Sequence, residues 1–281
     1  IDLGIITESS VFLDEPIDIN GYAPKNYSRN HSGYMTVRDA IKVSNNIVAV
    51  KAAQKIGTKN IINYAKEMGI TTLTNHDYGL SMALGGLYKG ISPYEMASAY
   101  GVLANGGLHV SPYYIEKITD RFDAVLYKSN QFSNRVLKQE TADTMADMLI
   151  YNGLYGTGTN VSGFQCGGKT GTTDSFRDLW YVGFVEDTVT AVWVGNSDNT
   201  KINSSTGSAT ASKVWREYMT EYLKNKTPQT QYTRFEYVPV TIYGEGDDIY
   251  LADSSCQLVE PSRTKTLYLR PENKPEETKT C

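Results

Sequence analysis

Histidine and cysteine are scarce in this chain of 281 residues, which has three of each. Cys166, Cys256 and Cys281 form no C-x-x-C pair and have no histidine close by, so a zinc site is not expected. Cys166 stands among glycines and is predicted to be a small buried residue. A bridge between Cys256 and Cys281 stays open, because it depends on an oxidising compartment.

Long apolar runs and clusters of basic residues are missing as well. No segment approaches the length of about 18 apolar residues that a membrane-spanning helix needs. The net charge is −4 and no run of Lys or Arg occurs, which gives no reason to expect nucleic acid as a partner. The chain opens at Ile1 without an initiator methionine or a secretory signal, so we expect a fragment, a processed product or an engineered product.

The periodicity of apolar residues predicts helices first, then an antiparallel sheet, then another helix. Two short helices are expected to meet at 44–46, followed by a third over 59–68 and one that Ser92 caps, with Glu95 completing a capping box. A hairpin over 108–130 and a helix over 139–154 precede three strand-like runs and a closing helix. This order indicates an α+β or three-layer arrangement rather than a βαβ fold. From about Thr227 onwards, prolines and β-like runs predict a small β-rich tail.

The stretch GFQCGGKTGTTDSF, residues 163–176, fits two motifs that exclude each other. Its first part matches G-x-x-x-x-G-K-[ST], a phosphate-binding loop, which requires a strand before the glycines and a helix after the lysine. A polar YGTGTNVS precedes it and a strand-like LWYVGFV follows, so the context of a phosphate loop is absent. The alternative is a K-T-G element on a strand edge, where an extended acyl-peptide pairs with the main chain.

Several blocks in the same order resemble the high-molecular-weight, class A-like penicillin-binding proteins, the D,D-transpeptidases of bacterial cell-wall synthesis. The blocks are TVRDAIKVSNNIVAVKAAQKIG, LSMALGG with SPYEMASAYGVLANGG, YGTGTN, and GGKTGTTDSFRDLWYVGF with TAVWVGNSDN. The resemblance implies the three-layer penicillin-binding fold, which is also that of the serine β-lactamases. It implies a transpeptidase domain over residues 1–226, N-terminally incomplete, and a short β-rich extension over residues 227–281.

The resemblance also implies roles for six residues. Ser44 and Asn46 match the family's S-x-N, where the serine relays a proton during acyl transfer and the asparagine holds the substrate amide. Lys169 would sustain the electrostatics of the cleft. Thr170, Gly171 and Thr172 would complete the K-T-G site, with the threonines binding a terminal carboxylate and the N–H of Thr172 forming half of an oxyanion hole. No metal or organic cofactor is implied.

The family's S-x-x-K, which supplies the nucleophilic serine, is not at its expected place upstream of Ser44. The only S-x-x-K in the chain, Ser262 to Lys265, lies in the tail and is interpreted as a chance match. Two other S-x-N matches, at 28–30 and 197–199, are interpreted as loop sequences. We therefore expect the nucleophile in a part of the parent protein outside this chain, and the chain alone is not expected to be acylated.

The implied partners are peptidoglycan stem peptides, β-lactams and the N-terminal part of the same parent protein, with a glycosyltransferase domain left open. The implied location is the extracytoplasmic face of the bacterial membrane, through an anchor absent from this chain. The alternatives are a β-lactamase or β-lactam sensor, a binding domain that has lost catalysis, and a Ser-His-Asp hydrolase. The last is disfavoured because no G-x-S-x-G occurs and the histidines stand in polar or loop contexts.

Overall fold

The computed structural model describes residues 1–173, 176–202 and 208–281. The helices are α1 (Val37–Val43), α2 (Asn46–Ile56), α3 (Thr58–Glu67), α4 (Pro93–Ala104), α5 (Gln139–Tyr155), α6 (Ser208–Leu223) and α7 (Ser254–Val259). The first nine strands are β1 (Val11–Asp14), β2 (Gly33–Thr36), β3 (Leu108–Val110), β4 (Lys117–Thr119), β5 (Val125–Lys128), β6 (Ser133–Arg135), β7 (Cys166–Thr172), β8 (Asp178–Val185) and β9 (Thr188–Gly195). Four strands follow in the tail, namely β10 (Val238–Glu245), β11 (Asp248–Ala252), β12 (Thr264–Leu269) and β13 (Thr278–Lys279).

The helix break predicted at residues 44–46 is confirmed. Helix α1 ends at Ser44, whose backbone adopts the left-handed conformation with φ 56°. Asn45 then caps α2 by accepting a hydrogen bond from the N–H of Val48 at 2.9 Å. An asparagine side chain competes with the helix for backbone donors, so this pair ends one helix and starts the next.

The predicted capping box of α4 is also confirmed, whereas the predicted hairpin is partly wrong. Ser92 accepts from the N–H of Glu95, whose carboxylate accepts in turn from the N–H and the hydroxyl of Ser92. Strands β4 and β5 form a hairpin, but β3 pairs with β6 instead of joining it. The prediction missed β6 because its three polar residues carry no apolar alternation.

The three-layer arrangement is built on an antiparallel sheet in the order β7-β8-β9. Alternate residues of β8 face opposite layers. Leu179, Tyr181 and Val185 pack against α6 around the fully buried Trp215. Phe184 faces the other side and packs with apolar residues of α4 and α5. The fold class predicted from the sequence is therefore confirmed.

The tail forms a four-stranded sheet in the order β12-β10-β11-β13. Its buried residues share a cluster with Tyr34 of β2 and with apolar residues of β1. Cys256 and Cys281 form a disulfide bond that ties α7 to the last residue of the chain, which answers the question that the sequence left open. Cys166 is buried, as predicted, and its thiol is free. The division into domains at residue 226 stays a prediction.

Candidate active site

The K-T-G segment lies on a strand, and this excludes the phosphate-loop interpretation. Lys169 stands in the middle of β7, opposite Val182 of the antiparallel β8. The strand continues from Lys169 to Thr172, so the lysine is not followed directly by the helix N-terminus whose N–H groups a phosphate loop requires. Within the described part of the chain, β7 pairs only with β8 and is an edge strand of its sheet.

Two of the predicted site residues meet although 125 positions separate them in sequence. The ammonium of Lys169 donates to the hydroxyl oxygen of Ser44 at 2.8 Å. It also donates to the carbonyl and the hydroxyl oxygen of Thr170, at 3.1 and 3.4 Å. The left-handed turn between α1 and α2 thus presents Ser44 to the lysine of the sheet edge. A hydroxyl and an amine in such contact can exchange a proton.

Burial sets the charge of this pair. Desolvation lowers the pKa of Lys169 from 10.5 to about 8. A lysine in this range is mostly charged at pH 7 yet holds a substantial neutral fraction. The same side chain can therefore attract an anion and accept a proton from Ser44, and both properties suit acyl transfer.

Asn46, which was predicted to act together with Ser44 and Lys169, makes its hydrogen bond to a different part of the chain. Its side-chain amide donates to the carbonyl of Lys25 at 2.8 Å, and the structure shows no hydrogen bond between it and Lys169. The backbone N–H groups of Asn46 and Ile47 donate to the side chain of Asn26, at 3.0 and 3.3 Å. Asn26 is therefore a remote cap for α2.

A buried carboxylate fixes Asn26. Asp14 accepts from the amide of Asn26 at 2.8 Å and from the N–H of Ser32 at 2.8 Å, and His31 lies 3.2 Å away. Burial alone would raise the pKa of Asp14, but these hydrogen bonds bring it below its usual value. The loop that carries Asn26 is thus anchored to β1, and through it the start of α2 is anchored as well.

The other K-T-G residues line the strand edge. The hydroxyl of Thr170 donates to that of Thr157 at 3.2 Å. Gly171 stands opposite Trp180, while Thr172 ends the strand and is exposed to solvent. The strand's alternation predicts that Lys169 and Thr170 point to different faces, yet the long lysine side chain curls back to the threonine hydroxyl.

The remaining sequence matches lie apart from this pair. Ser262, the first residue of the S-x-x-K match, lies in a short helical turn of the tail, and Lys265, its last residue, donates to the carbonyl of Ser32. His109 contacts Ser98 at 3.1 Å and Asn134 at 3.4 Å, and His31 contacts the carboxylate of Asp14, which is occupied by Asn26 and Ser32 in the loop before α1.

Sequence reasoning did not single out three residues that the structure brings to the site, namely Asn26, Asn152 and Thr157. Thr157 lies in the YGTGTN block, where glycines on both sides are a signal for close approach of the backbone. Asn152 is fully buried in α5, and an asparagine at an interior helix position is a weaker signal. Asn26 is one of several polar residues in a loop, and nothing in the sequence distinguishes it.

This fold is that of a known family, because residues 1–220 match the penicillin-binding protein transpeptidase domain. The chain belongs to this family. Among its curated relatives, penicillin-binding protein 1A of Clostridium botulinum (strain Hall) is 35% identical over 239 residues, which is 80% of this chain and 29% of that protein. Penicillin-binding protein 1A of Aquifex aeolicus is 32% identical over 260 residues, or 91% of this chain and 35% of that protein. The chain thus spans about a third of the length of these relatives.

Solved structures support the same fold. Penicillin-binding protein 1A from Haemophilus influenzae is 25% identical, with a TM-score of 0.72 over 98% of this chain and 46% of that one. PonA1 from Mycobacterium tuberculosis in complex with penicillin V has a TM-score of 0.72 at 22% identity, over 83% of this chain and 68% of that one. Within the described residues of this chain, no helix has the length and apolar character needed to cross a bilayer.

Proposed function

We propose that the chain belongs to a D,D-transpeptidase domain that cross-links peptidoglycan stem peptides and is acylated by β-lactams. The observation that carries the proposal is the 2.8 Å contact between Ser44 and a lysine whose pKa is lowered to about 8, on an edge strand. An extended peptide ending in D-alanyl-D-alanine can add to such an edge through main-chain hydrogen bonds.

Each residue of the pair and of the strand has a role in this mechanism. Ser44 relays a proton between the leaving amine and Lys169, which supplies the positive charge of the cleft. Thr170, Gly171 and Thr172 bind the terminal carboxylate of the donor peptide, and the N–H of Thr172 donates to the oxyanion. One such donor is typically worth a factor of ~10²–10³ in rate.

Asn46 holds the amide of the substrate in this proposal. For this its side chain must exchange the carbonyl of Lys25, 2.8 Å away, for the incoming peptide. Both partners are carbonyl oxygens that accept from the same amide group, so the exchange conserves the number of hydrogen bonds.

The nucleophile is a serine outside this chain, supplied by another part of the parent protein. Ser44 does not begin an S-x-x-K in the sequence, and Ser262, which does, lies in the tail with its Lys265 bound to the carbonyl of Ser32. The reaction is acyl transfer in two steps, through an ester on that serine, to an amino group of a neighbouring strand.

The parent protein would act at the extracytoplasmic face of the bacterial cell membrane, through an anchor in another part of that protein. An oxidising compartment of this kind is consistent with the disulfide between Cys256 and Cys281. Its partners would be stem peptides, β-lactams and the N-terminal part of the same protein.

A release assay tests the proposal in the longer parent protein. The donor is a peptide ending in D-alanyl-D-alanine, an amine serves as acceptor, and freed D-alanine is measured. Ser44→Ala and Lys169→Ala should each lower the rate by ~10²-fold or more, within the range of positioned proton transfer. Lys213→Ala, which removes an exposed lysine from α6, is the matched control and should leave the rate unchanged. Full activity in both site variants would reject the proposed roles.

A further inference from the structure

A buried asparagine and a threonine form a chain of hydrogen bonds beneath the K-T-G segment. Asn152 of α5 is fully buried and donates to the carbonyl of Gly168 in β7 at 2.7 Å. Its side-chain oxygen accepts from the N–H and the hydroxyl of Thr157, at 3.1 and 3.3 Å. Because a buried amide is costly to leave unpaired, these bonds tie the turn that carries Thr157 to the strand.

The turn has no space for side chains on either side of Thr157. A Cβ atom at Gly156 would overlap the side-chain oxygen of Asn152, and one at Gly158 would lie 2.8 Å from its nitrogen. The N–H of Thr157 also donates to the carbonyl of Lys42 at 3.1 Å, two residues before Ser44. The turn is therefore wedged between the end of α1 and α5, against both halves of the site.

The hydroxyl donors in this chain of hydrogen bonds all point away from Lys169. Thr170 donates its hydroxyl proton to Thr157, and Thr157 donates its own to Asn152. With its proton directed away, the oxygen of Thr170 presents a lone pair to the ammonium of Lys169 at 3.4 Å. A lone pair in this position stabilises the charged form of the lysine.

We propose that Thr157 and Asn152 are positioning residues that orient the hydroxyl of Thr170, so that its lone pair faces Lys169 and its oxygen stays in place for a ligand carboxylate. The carboxylate part of this inference rests on the proposed function, but the orientation of the hydroxyl does not. The other hydrogen-bond partners that the structure shows for the lysine are the hydroxyl of Ser44, at the end of α1, and the carbonyl of Thr170.

The titration of Lys169 in this chain, followed by NMR of its side-chain nitrogen, tests the orientation. Thr157→Val removes the acceptor and lets Thr170 turn its proton towards Lys169, which is favourable only when the amine is neutral. The pKa of Lys169 should then fall by roughly half a unit, and Thr157→Ser should restore it. If the Thr157→Val variant does not fold, Thr157→Ala serves instead, because it lacks the same hydroxyl and has a smaller side chain.

The sign of the change separates positioning from a merely structural role. Loosening of the site would admit water and raise the pKa of Lys169 towards 10.5, and a rise or no change would overturn the inference. Thr241→Val is the matched control, because it removes a contact between two threonine hydroxyls, with Thr266 at 3.0 Å, in the tail sheet. It should leave the titration of Lys169 unchanged.

A second measurement in the longer parent protein separates this inference from the proposed function. Thr157→Val should reduce the second-order rate constant of acylation by benzylpenicillin roughly 2- to 10-fold, through weaker binding rather than a lower maximal rate. A lowered pKa with no acylation of the unmodified parent would keep the inference and reject the function. Normal acylation with an unchanged pKa in Thr157→Val would reject the inference alone.

Discussion

The burial of Lys169 determines its pKa, and from the pKa the charged fraction of the side chain can be calculated at any pH. Burial lowers its pKa from 10.5 to about 8, a difference of about 2.5 units that weakens proton binding roughly 300-fold. Lys169 is then charged in about 90% of the molecules at pH 7 and in about 10% of them at pH 9. If a carboxylate ligand requires the charge, its affinity should fall up to ~10-fold over this range.

Competitive acetylation of the lysines between about pH 6 and 11, read out by peptide mass, measures this pKa. Lys42 is an internal control of opposite sign. Burial opposes its ionisation, but the carboxylate of Asp39 at 2.8 Å raises the pKa of Lys42 above 10.5. A Lys169 that reacts in parallel with exposed lysines would contradict the reasoning from burial.

The same shift has a consequence for stability. The pKa of Lys169 is lower in the folded chain than in the unfolded chain, so the unfolded state binds more protons between pH 8 and 10.5. The free energy of unfolding should therefore gain a positive slope from this group as the pH rises through that interval. Lys169→Met should remove this part of the slope, whereas Lys213→Met, at an exposed position of α6, should not.

Two further predictions concern the framework. Burial opposes the ionisation of Glu95, but four hydrogen bonds lower its pKa to about 2. The ionised carboxylate therefore stabilises the folded chain fully above pH 4.5, and this stabilisation is lost as the pH falls towards 2. Glu95→Gln should cost about 2 kcal/mol of unfolding free energy in urea at pH 7, with screening allowed for, and an unchanged midpoint would refute this. Gly167→Ala should destabilise the chain by about 1–3 kcal/mol, because a Cβ atom there would overlap the ring of Phe184. Gly101→Ala, in α4 with open space around it, should instead stabilise by up to about 1 kcal/mol in the same urea titration, and equal effects would contradict the packing argument.

Local signals in the sequence were sufficient for the elements that carry the site. The two asparagines after Ser44 predicted the break between α1 and α2, and the aromatic, β-branched residues after Lys169 predicted a strand rather than a helix. Both signals act within a few residues, through side-chain hydrogen bonds and strand propensity. The residues at that break and on that strand meet at 2.8 Å.

Contacts between distant segments escaped the sequence because no local rule encodes them. Asn26 caps α2 from 20 residues away, and Asn152 joins α5 to the turn before β7. Each is one polar residue among many, and its partner is set by the packing of whole elements. The pairing of β3 with β6 was missed for the same reason, since another hairpin stands between them.

We propose that this chain contributes Ser44, Lys169 and the K-T-G strand to a penicillin-reactive site whose nucleophile lies outside it. The direct measurement is the intact mass of the protein after incubation with benzylpenicillin, for this chain and for the longer parent protein. We expect a covalent adduct on the parent alone. An adduct on this chain, at Ser44 or Ser262, would contradict the assignment of the nucleophile, and no adduct on either would favour a binding domain without catalysis.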